Sequence, residues 1–575
     1  MKNIINKLLI LVDKKNFISL FFILIGIVIA GILDVISISI IPIFISLVVQ
    51  PDIFISNVSK YIDISKYFYK IHYNDMILYI SVFLLLLFFI KSLFQVIIIY
   101  FENLFLLKLT TNLGHKIFSN LLYKPYSFHT RINKSVIINT LSTELDRTRF
   151  YIWAFINVIK DCVLLGIFSI VLIYWIGFAI PFISIVFLGI VGISVYKLTR
   201  SNIQKRGEIA LKFRQNQNKS VSHALSSIKE VIVYKSQNFF SIKFDNYLKG
   251  NQIQQIFNAV FNFLPRPILE IASLIIILSI ISYFIRIDNS NNILATISLL
   301  AVSLIRILPA VNSITASLLN MKFNSASVDI ICKQVSEIKK KKIDKNKINN
   351  FSEINFRNVS FVYENKKEIL TNINFTIKAG TTNAIIGSSG SGKTTLINLL
   401  LGFSEPSNGK IYLDNNNLKE YLNSFRNFVS YVPQSVYLME DTIIKNIAFA
   451  SEDINIDYNK IINICKITQL DEFINTLEHK YETKLGEHGT NISGGQIQRL
   501  GIARALYRNP KLIILDESTS ALDLQTEKLI LDNLLEMKEK LTIIFISHRL
   551  TSINNFDNIL KIENKKIFNQ KNINI

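Results

Sequence analysis

The chain has 575 residues and a formal net charge of +21 at pH 7. This length is too great for one hydrophobic core, so two or more domains are expected. Its three cysteines, Cys162, Cys332 and Cys465, are far apart and form no CxxC pair, which argues against a disulfide framework and against a cysteine metal site.

Residues 1–16 predict a helix on a membrane surface, because leucine and isoleucine recur at helical spacing with lysines between them. The apolar run is short and is followed by Asp13, Lys14 and Lys15 without a small-residue cleavage site. We therefore expect no cleaved signal peptide.

Six apolar segments follow, each long enough to cross a hydrocarbon core of about 30 Å as a helix. Several exceed the roughly 20 residues that a span requires, so these helices are expected to project beyond the bilayer. The predicted segments are residues 17–49, 76–107, 151–174, 178–198, 257–284 and 293–319.

The loops between these segments differ in length and charge. Residues 108–150 and 199–256 are long, rich in lysine and arginine, and partly helical in their periodicity, whereas the stretch 51–75 balances its lysines with aspartates. Since basic loops stay in the cytoplasm, both termini and both long loops are predicted to be cytoplasmic in a multi-pass protein of the inner membrane. The same distribution explains the net charge without nucleic-acid binding.

The composition changes after the last apolar segment. A lysine-rich stretch within residues 336–350 predicts a solvated linker, and from residue 351 short strands alternate with helices. The predicted architecture is an α-helical six-span transmembrane domain with long cytoplasmic helices over residues 1–335, followed by an α/β P-loop nucleotide-binding domain over residues 351–575.

A phosphate-binding loop follows the predicted strand 382–386. It has the form GxxxxGK[ST] between a strand and a helix, which is the context that this motif requires. The glycine-rich backbone and the helix amino terminus attract phosphate, Lys393 is expected to reach the β- and γ-phosphates, and Thr394 to ligate Mg²⁺. The predicted ATP-binding residues here are Gly387, Ser388, Ser389, Gly390, Ser391, Gly392, Lys393, Thr394 and Thr395.

A second apolar strand, predicted over residues 512–516, ends in two acids. Asp516 at its end is expected to hold Mg²⁺, and Glu517 to activate the attacking water. A strand that ends in two acids is weak evidence for an ATP-hydrolysing site on its own, and good evidence when it follows a P-loop.

Between these two motifs lies NISGGQIQR, residues 491–499. This segment resembles the LSGGQ signature of ATP-binding cassette (ABC) transporters, with Ile492 in place of the leucine. The resemblance spans the whole chain, six segments and then one cassette, as in half-transporters of the type IV exporter group. It implies that ATP lies between the cassettes of two copies, with intact motifs favouring a homodimer. The signature residues that would bind nucleotide are Ser493, Gly494, Gly495 and Gln496.

The same resemblance implies further roles. Tyr363 corresponds to the aromatic residue that stacks on adenine, and Gln434 in YVPQ to the glutamine that contacts the metal and couples to the membrane domain. Asp523 in SALD corresponds to the D-loop, and His548 in FISHRL to the switch histidine on the γ-phosphate. Glu517, His548 and Gln434 would then act in hydrolysis, with Thr394, Gln434 and Asp516 around Mg²⁺.

Ionisable residues inside the apolar segments are costly and usually face an interior. Lys91 and Arg306 lie near mid-span with no acid one turn away, which favours an anionic substrate. Arg266 and Glu270 have the i,i+4 spacing of a helix pair, so mutual neutralisation stays open as the alternative. The full candidate set is Asp34, Lys91, Glu102, Lys160, Asp161, Arg266, Glu270 and Arg306.

The membrane half is similar to PglK-type flippases of lipid-linked oligosaccharides, through the long external segment and the stretches 265–270 and 295–309. This resemblance implies an amphipathic lipid-pyrophosphate substrate bound by Arg266, Arg306 and Lys91.

The chain departs from that family at two positions. Lys91 and Ser313 both stand where the family has an arginine. A lysine binds a diphosphate less well than an arginine, because it lacks the two parallel N–H donors of a guanidinium. Two alternatives stay open: export of lipid A, drugs or peptides on the same scaffold, or a soluble-type ATPase acting on DNA, against which the six spans argue.

Overall fold

The computed structural model describes residues 2–49, 73–176, 178–286, 293–337, 348, 350–363, 368–486, 489, 491–537, 539–547, 549 and 553–569. Most of the predicted external stretch 51–75, most of the linker 336–350 and His548 therefore lie outside the described residues. The chain divides into two compact units, Met1–Lys124 with Phe128–Lys340, and Pro125–Ser127 with Lys341–Ile575.

The described part of the first unit is built of helices, with one π-helical turn at Thr140–Glu144 between α5 and α6. The helices are α1 (Lys2–Leu11), α2 (Lys14–Val49), α3 (Tyr73–Leu122), α4 (Tyr126–Arg131, whose first two residues belong to the second unit), α5 (Lys134–Asn139), α6 (Leu145–Ile176), α7 (Ala179–Ser226), α8 (Ile228–Val233), α9 (Gln237–Phe263), α10 (Pro265–Arg286), α11 (Ile293–Phe323) and α12 (Ser325–Ser336).

Five stretches of the described chain are long and apolar enough to cross a membrane, and the sixth predicted segment, 293–319, lies within α11. Helices α3 and α7 have 50 and 48 residues, which at 1.5 Å per residue makes each of them over 70 Å long, roughly twice the thickness of a hydrocarbon core. The five stretches are Asn16–Ser37, Ile77–Leu122, Lys134–Ile173, Phe182–Ser226 and Gln237–Ser282.

Large apolar side chains cover the outside of several of these helices. Phe22 of α2, Leu85 and Phe89 of α3, and Leu278 of α10 each expose more than 60% of their surface. Contiguous apolar surface of this kind is rare on water-soluble monomers and suits a lipid environment. One core of the unit lies instead where α1, α2, α3, α6, α11 and α12 pack together.

The second unit contains two sheets and their covering helices. Its strands are β1 (Glu353–Val362), β2 (Glu368–Lys378), β3 (Thr382–Ile386), β4 (Asn408–Leu413), β5 (Asn416–Asn417), β6 (Val429–Val432), β7 (Leu512–Asp516), β8 (Thr542–Ile546), β9 (Asn558–Glu563) and β10 (Lys566–Asn569). Its helices are α13 (Lys393–Leu400), α14 (Leu422–Asn427), α15 (Ile443–Ile447), α16 (Tyr458–Ile467), α17 (Asp471–Thr476), α18 (Gly494–Tyr507) and α19 (Leu524–Glu536).

The larger sheet has the order β10-β9-β3-β8-β7-β6 and is parallel except for β10. Strands β3, β7 and β8 are buried along their whole length, as expected of parallel strands covered on both faces. Alternate residues serve two cores: Ile513 and Leu515 pack with α15–α19, whereas Ile514 packs with α13 and the antiparallel sheet β2-β1-β4-β5. The predicted fold class, a helical membrane domain followed by an α/β cassette, is confirmed.

Candidate functional site

The carboxyl ends of four neighbouring parallel strands gather the predicted nucleotide-binding motifs. The P-loop follows β3, Asp516 ends β7, Gln434 lies two residues beyond β6, and β8 ends just before His548. Open parallel sheets bind ligands at this edge, because loops from adjacent strands converge there.

The P-loop has a backbone that requires glycine. Gly392 caps the amino terminus of α13 with φ of 110°, and a Cβ atom there would lie 3.0 Å from the side chains of Ile369 and Leu370. Gly390 has φ of 78°. These left-handed conformations suit glycine and let the loop turn its N–H groups inward toward a phosphate.

The Lys393 side chain folds back over the loop. Its ammonium donates to the carbonyl oxygens of Gly387 at 2.9 Å and Ser388 at 3.1 Å, and only 5% of the residue is exposed. Burial lowers the pKa of Lys393, while the nearby Glu517 and Asp516 oppose that shift. In the described structure the buried Ser391 hydroxyl has no hydrogen-bond partner, which fits a loop built to receive phosphate oxygens.

The two acids at the end of β7 have different environments. Asp516 is buried, and this burial raises its pKa, while a hydrogen bond from the Tyr431 hydroxyl to Oδ2 at 3.1 Å acts in the opposite direction. Glu517 is half-buried and has φ of 48°, unusual for a residue with a side chain. Its Oε2 accepts a 2.8 Å hydrogen bond from Gln434 Nε2. The structure thus brings Gln434 and Glu517 together.

The donor set at this edge suits Mg²⁺. Thr394, Gln434 and Asp516 offer a hydroxyl, an amide and a carboxylate oxygen, and Mg²⁺ takes hard oxygen ligands while keeping several waters. Accordingly, no cluster of three or more histidine, cysteine or acidic side chains is needed, and none is found among the described residues.

Tyr363, the predicted adenine contact, lies directly after β1 and is 44% exposed. Its hydroxyl is 3.3 Å from Thr395 Oγ1, and its ring meets Phe361 edge-on. The ring is therefore next to the P-loop helix, and part of its surface is open to a stacking partner.

The signature residues form the amino terminus of α18. Ser493 caps this helix in a capping box: its hydroxyl accepts from the N–H of Gln496 at 3.3 Å, and its own N–H donates to Gln496 Oε1 at 2.7 Å. Ser493 and Gly494 are exposed, and Gly495 is half-buried. Gln496 thus uses its side chain to hold the cap that presents the exposed residues.

Asp523 likewise caps a helix, α19, by accepting a 2.9 Å hydrogen bond from the N–H of Thr526. This bond lowers the pKa of Asp523, which is exposed.

Two residues that the sequence analysis left unassigned hold the D-loop. Gln498 donates to Ser520 Oγ at 3.0 Å and accepts from the N–H of Ala521 at 2.8 Å, and Arg549 donates to the carbonyls of Ser520 and Leu522 at 3.2 Å. Both lie inside the quoted motifs, but contacts between distant segments are not encoded in motif spacing.

The predicted substrate residues have different surroundings. Lys91 forms an ion pair with Asp34 of α2, and less than 10% of either side chain is exposed. The acid comes from another helix and not from one turn along α3, so for Lys91 the alternative of mutual neutralisation holds. Arg266 pairs with Glu270 at 3.0 Å, as their spacing indicated, and 58% of its side chain is exposed. Arg306 lies in α11, and its side chain is outside the described part.

Comparison with known proteins agrees with the fold and the motifs. The family model of the ABC transporter transmembrane region matches residues 17–308, and that of the ABC transporter cassette matches residues 370–520. The chain belongs to the ABC transporter family. Its second unit is accordingly an ABC ATPase domain that binds ATP, and its first unit the multi-pass membrane region.

Several relatives of this ABC transporter are bacterial flippases. It is 30% identical over 479 residues to the ATP-dependent lipid A-core flippase of Pectobacterium atrosepticum, which covers 81% of this chain and 80% of that one. Identity to the protein of that name from Haemophilus influenzae is 46%, over 37% of each chain. A bacterial Atm1-family ABC exporter with ATP bound has the same fold, with a TM-score of 0.82 over 95% of this chain and 94% of that one at 19% identity.

Proposed function

We propose that two copies of this chain form an ATP-driven exporter of the inner membrane that flips an anionic glycolipid, with a lipid A-core type of substrate favoured. The observation that carries this proposal is the alignment with lipid A-core flippases over four fifths of both chains. It supports the alternative of lipid A export more than a lipid-pyrophosphate oligosaccharide, since the relatives that align over four fifths of this chain are named lipid A-core flippases.

The geometry of the site supports ATP hydrolysis by named residues. Lys393 faces the P-loop carbonyls and would move to the β- and γ-phosphates, while Glu517, held by Gln434, would polarise the attacking water. Thr394, Gln434 and Asp516 would hold Mg²⁺, which would supply positive charge beside the γ-phosphate. His548 is proposed to hold that phosphate.

The exposed amino terminus of α18 supports a homodimer. Gly494 is exposed at the start of a 14-residue helix, where the N–H groups of the first turn and the helix dipole favour an anion. We expect the ATP of the second copy to bind there, so each site needs both chains.

The proposed contact with an anionic lipid is Arg266. Its guanidinium is exposed and already binds one carboxylate, that of Glu270, so a phosphate of similar geometry could replace it. Lys91 is a weaker candidate, because its charge is neutralised by the buried Asp34. Arg306 remains a proposed contact on sequence grounds.

The test is ATP-dependent flipping in proteoliposomes with three substrates: a lipid A-core glycolipid, a lipid-pyrophosphate oligosaccharide and a neutral phospholipid. We expect the first to be flipped and to stimulate ATP hydrolysis. Preferential flipping of the second would restore the oligosaccharide hypothesis, and equal flipping of all three would contradict an anionic substrate.

Matched variants distinguish a role of Arg266 in binding the substrate from a role of the Arg266–Glu270 pair in stabilising α10. Arg266→Ala should reduce flipping of the anionic glycolipid, whereas Glu270→Ala, which frees the same guanidinium, should not. A loss of flipping in both variants would mean that the pair only stabilises α10, and equal flipping in both would exclude Arg266 from the substrate site.

A further inference from the structure

We propose that Tyr431 positions the metal ligand Asp516, and that the rings of Phe403 and Tyr126 hold Tyr431 in place, so that segment 125–127 is connected to the metal site. We call Tyr126, Phe403 and Tyr431 the aromatic path. All three belong to the second unit. The proposal concerns the ATPase and does not depend on which substrate is carried.

The first step is the hydrogen bond from the Tyr431 hydroxyl to Asp516 Oδ2, 3.1 Å long. Strands β6 and β7 are parallel neighbours, with Tyr431 opposite Ile514. Two residues of strand span about 6.6 Å, which is the reach of a tyrosine side chain, so the hydroxyl arrives at the strand end. Asp516 is 5% exposed, and a fixed partner on one oxygen sets the direction of the other.

The second step is the packing of Tyr431 on Phe403. The ring centroids are 6.5 Å apart at an interplanar angle of 75°, a favourable edge-to-face geometry. Phe403 follows the P-loop helix α13 by three residues, and Arg426 fixes this segment. The Arg426 guanidinium lies 5.7 Å from the Phe403 ring and donates to the carbonyls of Leu401 and Gly402.

The third step is the contact between Phe403 and Tyr126, with centroids 4.7 Å apart and planes inclined by 30°. Tyr126 is the first residue of α4 and follows the end of the long helix α3 by four residues. A displacement of this segment would therefore press on the ring that supports Tyr431. Gln434 donates its hydrogen bond to Glu517, so the aromatic path acts on a different member of the site, Asp516.

The test measures metal binding directly. Mn²⁺ affinity is determined by electron paramagnetic resonance with ATP in the full-length Glu517→Gln protein, which prevents turnover. Tyr431→Phe removes one hydroxyl and keeps the ring, and it should weaken Mn²⁺ binding about tenfold, the lower end for loss of a partner behind a metal ligand. In EDTA, which removes the metal, the affinity of this variant for ATP should stay within about twofold of the affinity of the Glu517→Gln parent.

The remainder of the path is tested by a double-variant cycle. Tyr126→Ala should weaken Mn²⁺ binding in the same direction, and Tyr126→Phe, which keeps the ring, should not. Because Tyr126 acts through Tyr431, the Tyr126→Ala, Tyr431→Phe protein should bind Mn²⁺ no more weakly than Tyr431→Phe alone. Tyr412→Phe, on β4 away from the path, is the control for loss of a hydroxyl.

Three results would overturn the proposal. An unchanged Mn²⁺ affinity in Tyr431→Phe would remove Tyr431 as a positioning residue. An equal loss of nucleotide binding in EDTA would assign it a general structural role. Multiplicative losses in the double variant would show that Tyr126 does not act through Tyr431.

Discussion

At the scale of single residues, Glu517 combines an unusual backbone with a defined side-chain partner. Its φ of 48° costs about 1–2 kcal/mol for a residue with a Cβ atom, and the chain accepts this cost at the residue that follows the proposed metal ligand Asp516. The hydrogen bond from Gln434 then fixes the carboxylate. This backbone strain is consistent with the role proposed for Glu517 in hydrolysis.

Glu517→Gln should abolish turnover and preserve ATP binding, because the amide keeps the shape of the side chain and cannot take a proton. We expect a loss of ATP hydrolysis on the order of 10²–10⁴-fold, measured as phosphate release from the purified full-length protein. Glu536→Gln, an exposed position at the end of α19, is the control and should hydrolyse ATP normally. Continued hydrolysis by the Glu517 variant would exclude it as the base.

At the scale of elements, the D-loop is held from two sides. Gln498 of α18 and Arg549 after β8 bind the backbone of residues 520–522, and Arg549 also pairs with Glu527 of α19 at 2.5 Å. Glu527 is 1% exposed and accepts a further hydrogen bond from Thr519. Hydrogen bonds and an ion pair therefore connect helix α18, which begins with the signature residues, to the D-loop and to α19.

Glu527→Gln should destabilise the ATPase domain, because the Arg549 guanidinium loses its charged partner. The expected cost is about 1–3 kcal/mol, seen as a lower midpoint for unfolding of this domain in thermal scans of the full-length protein. The control is Glu563→Gln, which breaks the exposed pair with Lys561 and should change stability by less than about 1 kcal/mol. Equal midpoints for the two variants would contradict the network.

In the membrane unit, a buried ion pair and its hydrogen-bond partners join four elements. Glu144, in the π-helical turn, is fully buried and accepts from Arg214 of α7 at 3.2 Å and from Asn139 at 2.9 Å. Arg214 also donates to Ser327 of α12. Such turns are frequent at functional sites.

Arg214→Met should destabilise the membrane unit more than an exposed charge change does, since it leaves Glu144 buried without its charged partner. We expect about 3–5 kcal/mol, measured by thermal unfolding in detergent. Lys249→Met, which breaks the exposed pair with Asp245, should cost less than about 1 kcal/mol. If Arg214→Met destabilises the unit no more than Lys249→Met does, the pair between Arg214 and Glu144 contributes no specific stability.

At the scale of the whole molecule, the proposed homodimer places each ATP between a P-loop and the signature of the other copy. Mixed dimers of Lys393→Met and Ser493→Arg chains test this arrangement. One site of the mixed dimer would carry both defects and the other none, so phosphate release should exceed that of either parent homodimer. Activity as low as in the parents would mean that P-loop and signature of the same chain form the site.

Much of the cassette could be predicted from the sequence because its motifs are local. Strand β3 with the P-loop, and strand β7 with the two acids at its end, are contiguous segments whose spacing is set by strand, turn and helix geometry. Fewer contacts of the membrane half could be predicted from the sequence. The pair between Lys91 and Asp34, for example, joins residues 57 positions apart. An i,i+4 rule detects Arg266 with Glu270 and cannot detect that partner.

The sequence by itself therefore determined the fold class, the family and the identity of the nucleotide-binding motifs, since hydrophobic periodicity and motif spacing are local properties. Only the tertiary structure decided that Lys91 is neutralised by Asp34, that Gln498 and Arg549 hold the D-loop, and that Tyr431 contacts Asp516. These contacts depend on which strands and helices become neighbours, and that is set by packing of the whole unit.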